Sequence, residues 1–181
     1  MKPLVVALAG TDHHPFNRMV EWVDAAAEHR PDLRFLVQHG ATTPPPRLAE
    51  GAEFLTHERL RTLLAEASAV VCHGGPGTIM DACEAGHVPL CIPRDPELGE
   101  HVDGHQQRFA ATVGSAGVVR HVTSLESFLE ELDRALVQPS GGAVAMATMT
   151  RDTARARLAA ELDDLMTVRR HRRVRRQRTA F

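Results

Sequence analysis

A chain of 181 residues, 43% of them hydrophobic, is long enough for one domain with a real core and has the composition of a globular protein. No stretch approaches the roughly 20 apolar residues a membrane span requires and none reads as a signal peptide, so the expected location is the cytoplasm. The net charge of −2 conceals an asymmetry: residues 168–181 carry seven Arg and no acid, leaving the remainder at −9. Cys72, Cys83 and Cys91 sit in or beside apolar runs without C-x-x-C spacing, as reduced core thiols do.

In chain order, "PLVVALAG" predicts a buried strand ending in glycine, and "PFNRMVEWVDAAAEHR" a helix with Phe16, Met19, Val20, Val23 and Ala27 on one face. "LRFLVQHG" is a second strand. "ATTPPPRLAE" is irregular, because successive prolines delete backbone donors. A short strand "AEFLT" over 52–56 is followed by a helix over 57–68 and a strand "AVVCH" over 69–73. "TIMDACEAG" predicts a helix closed by Gly86, then come a strand "VPLCIP", a helix over 104–117, a short strand "VVRHV" and a capped helix over 124–139. Residues 1–140 thus make the domain, 141–167 a linker and last helix, and 168–181 a basic tail. Continuously apolar strands separated by helices mean a parallel sheet covered on both faces, a doubly wound α/β fold of Rossmann-like type. Such sheets bind ligands beyond the strand ends where strand order reverses, which selects "AGTDHHPF" after the first strand and "CHGGPGT" after the fourth.

The glycine cluster is not a Walker A loop, which needs Lys and then Ser or Thr. Nor is it the dinucleotide fingerprint, since Met80 stands where the third glycine belongs. Either it is a tight strand-to-helix turn, or its backbone N–H groups approach a phosphate at the start of the following helix. Thr78 adds a hydroxyl there. Asp81, one turn on, suits the vicinal diol of a ribose, or is an acid favoured by the helix dipole.

"EFLTHERLRTLLAEASAVVCHGGPGTIMDACEAGHVPLCIPRDPELGEHVDGHQQRFA" resembles the donor-binding half of family 28 glycosyltransferases, which have the two-domain GT-B fold. Within them it is most similar to the soluble subunits of two-piece transferases, and "AGTDHHPFNRMVEWVD" resembles their bacterial exopolysaccharide branch. The likeness covers roughly residues 3–137 and implies an inverting transfer from a UDP-sugar to a lipid-linked saccharide; with no convincing D-x-D element, no obligatory metal is expected. It places the uracil on Phe54 and Leu55, and the diphosphate on the loop after His73, that is Gly74, Gly75, Gly77 and Thr78. The ribose goes to Asp81, and the donor sugar to His105 and Gln106, with Glu100 in the same motif. Gly10 and Thr11 face the same cleft. Pro76 departs from the commoner H-A-G-x-G pattern and removes one N–H. The sequence opens on the donor half, so a membrane-anchored subunit is expected to supply the acceptor half.

Asp12, His13 and His14 follow the first strand and are candidates for the catalytic base, although Asp12 equally suits a cap for the helix expected from Pro15. A zinc hydrolase is the rival enzyme, using His101 and His105 with Glu100 or Asp103 and the His13–His14 pair. It lacks both H-E-x-x-H and any Cys ligand pattern, so no metal set and no cofactor are expected. A non-catalytic sugar-nucleotide-binding subunit is the rival from another class. The basic tail suits an anionic membrane surface, and with few aromatics and no recognition motif nucleic acid is not an expected partner.

Overall fold

The computed structural model describes residues 1–137; the expected linker, last helix and Arg-rich tail lie outside them. Six strands and five α-helices follow in order: β1 (Leu4–Leu8), α1 (Asn17–His29), β2 (Arg34–Gln38), β3 (Glu50–Ala52), α2 (His57–Glu66), β4 (Ala69–Cys72), α3 (Pro76–Glu84), β5 (Leu90–Cys91), α4 (His105–Ser115), β6 (Arg120–His121) and α5 (Leu125–Val137). All strand pairs are parallel, in the order β3-β2-β1-β4-β5-β6. The order reverses between β1 and β4, the two strands whose following loops the sequence singles out.

Both faces of the sheet are covered, and β1 shows how. Val5, Ala7 and Ala9 join Met19, Val23, Phe128 and Leu132 of α1 and α5 in one core. Leu4, Val6 and Leu8 join Leu63 and Leu64 of α2 and Ala82 of α3 in the other. A continuously apolar strand is what two buried faces demand.

Three boundaries differ from expectation for identifiable reasons. β3 ends at Ala52 rather than extending over 52–56, because Phe54 and Leu55 leave the sheet and Phe54 stays 56% exposed. β5 is confined between Pro89 and Pro93, neither of which can donate to a ladder. α1 starts at Asn17, behind Phe16, whose N–H is taken by the Thr42 hydroxyl at 2.8 Å. Asp12 therefore does not cap this helix.

The helix over "TIMDACEAG" ends as expected. Gly86, at φ +94°, follows α3, with its N–H on the Cys83 carbonyl and the His87 N–H on the Ala82 carbonyl, the paired closure of a Schellman motif. At its other end α3 begins with Pro76 in the first turn and has no side-chain cap.

Candidate functional site at the carboxyl ends of β1 and β4

The loops after β1 and β4 meet around one imidazole. The backbone N–H of His73 bonds to the Leu8 carbonyl at 3.1 Å, and its ring Nδ1 lies 3.3 Å from the same oxygen. A Cβ on Gly10 would fall 2.6 Å from this ring, and a Cβ on Gly75 only 2.2 Å from it. Gly74 faces the start of α4, where a Cβ would come within 2.9 Å of the Gln106 side chain. Three of the glycines are thus required by packing between loops. Gly77 is different: among the described residues nothing lies within 4 Å of where its Cβ would sit. Its absent side chain leaves the first turn of α3 open, where the N–H groups of Gly77 and Thr78 have no carbonyl within the helix to bond.

His73 is held neutral. Burial, reinforced by the nearby charge of Arg94, pushes its pKa from 6.5 down to about 4. Arg94 itself is 1% exposed. Its guanidinium donates to the carbonyls of Ala9, His14 and Glu100, each at 2.8 Å, and lies over the Phe16 ring. The Arg94 N–H donates to Gln106 Oε1 at 3.3 Å. One buried cation therefore ties the β1 loop, the segment after β5 and the first turn of α4 together. Gln38 does the same on the other side, linking Gly10 to the Glu53 carbonyl and so to the loop carrying Phe54 and Leu55. Glu100 is buried, and its carboxylate accepts from Arg18 and from the Asp95 N–H, which fixes the segment that follows.

On the solvent side of this frame sit the titratable groups. Asp12 Oδ1 accepts from the His14 N–H at 2.8 Å and its ring Nδ1 at 2.6 Å, while Oδ2 is 3.4 Å from His101 Nε2. Burial alone would raise the Asp12 pKa, but the two bonds from His14 and the charge of Arg94 outweigh it and hold the carboxyl at about 2. Burial, aided by neighbouring His105, lowers the pKa of His101. Thr11 and His13 are exposed; Asp81 and Thr78 are partly exposed along α3. Of the expected site residues, Gly10, Asp12, His14, His73, Gly74, Gly75, Glu100, His105 and Gln106 share this connected frame. Phe54 and Leu55 follow Glu53, which Gln38 ties to the frame, and Asp81 stands on α3 one turn beyond the glycine cluster. Arg94, Gln38 and Arg18, which build the frame, were not expected from the sequence; "I-P-R" gives only the faint signal of a cation after an apolar strand.

A groove of about 340 Å³ lies elsewhere, between α1 and the proline-rich segment, walled by Glu21, Asp24 and Glu28. Carboxylates suit a diphosphate poorly, so this groove is not the candidate site.

Residues 4–162 match the glycosyltransferase family 28 C-terminal domain. The chain belongs to that family. Its fold recurs in solved glycosyltransferases of low identity. The glycotransferase of kitacinnamycin is 20% identical with a TM-score of 0.59, over 90% of this chain and 42% of that one. MurG of Acinetobacter baumannii is 16% identical with a TM-score of 0.55, over 88% and 52%. VinC, solved with dTDP, is 21% identical with a TM-score of 0.51, over 80% and 36%. The chain spans about half or less of each of these proteins. No curated protein matches it. The six-stranded parallel sheet is accordingly the Rossmann-like donor-binding half of the GT-B architecture. Among the described residues no helix is long and apolar enough to cross a membrane.

Proposed function

We propose that this chain is the donor-binding subunit of a glycosyltransferase, taking a UDP-sugar and, with a membrane-anchored acceptor-binding subunit, extending a lipid-linked saccharide for exopolysaccharide. The observation that carries the reading is the open first turn of α3 at Gly77. Packing explains Gly10, Gly74 and Gly75 and leaves Gly77 free for a closely approaching ligand. A diphosphate there meets unpaired N–H groups and the positive end of a helix dipole. The same donors stabilise the charge of the departing nucleoside diphosphate without reorganising. Asp81 takes the ribose hydroxyls, the loop at Phe54 and Leu55 the uracil, and His105 with Gln106 the sugar.

In the transfer step the acceptor hydroxyl gives its proton to Nε2 of His14 as its oxygen attacks the anomeric carbon. The bond from that carbon to the β-phosphate oxygen breaks, its electron pair leaves with UDP, and the configuration inverts. Asp12, a carboxylate throughout the neutral range, accepts the Nδ1–H and leaves the Nε2 lone pair free. The protein acts in the cytoplasm, at the inner face of the membrane.

The test is calorimetric titration of UDP, dTDP, ADP and NAD into the full chain. UDP should bind most tightly, and preference for ADP or NAD overturns the donor assignment. Asp81→Ala should weaken UDP binding by about 1.5–3 kcal/mol, the value of a charge-assisted hydrogen bond, while leaving the fold intact.

A further inference from the structure

The parallel ladder of β1, β2 and β3 has its last common rung at Leu8, Gln38 and Ala52. Just beyond it, the N–H groups of Ala9, His39 and Gly40 bond to the carbonyls of Gln38, Ala52 and Glu53 at 2.9, 2.9 and 3.0 Å. From there the side chain of Gln38 continues the work of a peptide group. Its Oε1 accepts the Gly10 N–H at 3.2 Å. Its Nε2 donates to the Gly10 carbonyl at 2.9 Å and to the Glu53 carbonyl at 3.0 Å. A side-chain amide offers an acceptor and two donors together, so these three contacts fix which way it faces. Gln38 is buried, and water competes little for the bonds.

The loop this amide reaches is anchored on both sides of one exposed ring. Ahead of Phe54, the Glu53 carbonyl accepts from both Gly40 and Gln38. Behind it, Leu55 packs against the core cluster that contains Leu63 and Leu64, and Thr56 caps α2 by accepting the Arg59 N–H. Phe54 itself stays 56% exposed. An aromatic ring open to solvent between two fixed points suits a flat ligand such as a nucleobase.

We infer that Gln38 is a positioning residue for nucleobase selection, holding the loop after β3 to the loop after β1. This role rests on the proposed function, in which Phe54 and Leu55 receive the uracil. Uracil and cytosine exchange a donor for an acceptor along the same edge. Groups that tell the two apart must therefore keep their places within about 0.5 Å. A loop that shifts further leaves the first turn of α3 open to a diphosphate but reads the base poorly. Gln38 touches neither base nor phosphate on this reading; it acts through the Glu53 carbonyl.

The test is calorimetric titration of UDP, CDP and pyrophosphate into the full chain and into Gln38→Met, which has a similar length but no N–H donor. Gln38→Met should bind UDP at least tenfold more weakly, and its preference for UDP over CDP should narrow several-fold. Its pyrophosphate affinity should be unchanged. A merely structural glutamine would weaken UDP and pyrophosphate together, or neither, and either result overturns the role. Where circular dichroism shows the variant unfolded, hydrogen exchange at the Gln38 side-chain amide of the unaltered chain decides. UDP should slow that exchange and pyrophosphate should not; equal exchange under both ligands overturns the role. An unaltered chain with no preference for UDP defeats the donor assignment and this role with it. A preference kept intact in folded Gln38→Met defeats only the role of Gln38.

Discussion

Arg94 shows most plainly what a single residue contributes here. Its guanidinium satisfies three buried carbonyls from two loops, and among the described residues no carboxylate lies within hydrogen-bond distance to match its charge. Arg94→Met should therefore cost about 3–5 kcal/mol, since each orphaned carbonyl keeps its desolvation penalty, and calorimetry should show the melting temperature falling by roughly 10 °C or more. Arg94→Lys should recover only part of this, because an ammonium cannot present a planar fork to three acceptors. The sequence shows Arg94 only as part of the I-P-R that belongs to the family resemblance; that its guanidinium binds three buried carbonyls emerges only once the fold closes over it. His73 carries the complementary prediction. With its folded pKa lowered to about 4 from 6.5, the unfolded chain takes up a proton that the folded chain refuses. Stability from this group is full above pH 6.5 and is lost as pH falls through 6.5 toward 4, by on the order of 2–3 kcal/mol. Asp12, lowered to about 2 from 3.8, adds a second loss only below pH 4. Urea unfolding across pH should resolve the first loss, and His73→Asn, which keeps a donor for the Leu8 carbonyl, should abolish it. An unchanged profile in that variant assigns the slope to other groups.

At the scale of elements, the strand-to-helix alternation was legible because the doubly covered sheet imposes apolar runs on its strands and amphipathic faces on its helices. The ends of β3 and β5 were less so. Where a strand leaves the ladder depends on which neighbouring carbonyl its N–H groups reach, and Ala52 and Glu53 accept from His39 and Gly40 across a loop of no regular pattern. The sequence marks the cluster before α3 as a strand-to-helix turn, with or without a phosphate on it, but hides the division of labour within it. Gly75 is needed because His73 lies 2.2 Å from its missing Cβ, whereas Gly77 meets nothing. The two alanine variants should separate these roles. Gly75→Ala should lower the melting temperature sharply, since backbone and ring cannot both keep their places. Gly77→Ala should keep or slightly raise it, because alanine is favoured over glycine by roughly 0.5–1 kcal/mol inside a helix. If a diphosphate approaches this turn, that same variant should bind UDP at least several-fold more weakly. Unchanged UDP affinity in folded Gly77→Ala places the phosphates elsewhere.

Across the whole molecule, charge is divided between a body of −9 and a C-terminal stretch of seven Arg. If the proposed function holds, a donor-binding subunit working on a lipid-linked acceptor has to be brought to an anionic surface, from which an acidic body alone would be repelled. On that reading the basic stretch would reverse this locally, each Arg near such a membrane contributing about 1 kcal/mol within a Debye length. That suffices for weak, salt-sensitive recruitment, and stable residence then requires the proposed membrane-anchored partner. Deleting residues 168–181 should therefore reduce sedimentation with phosphatidylserine vesicles at low salt while leaving UDP affinity unchanged. For the intact chain, added salt should weaken vesicle binding over the same range. Vesicle binding unmoved by the deletion removes the membrane role of this stretch. Robust sugar transfer by the purified chain alone, onto a lipid-linked acceptor, removes the need for a second subunit.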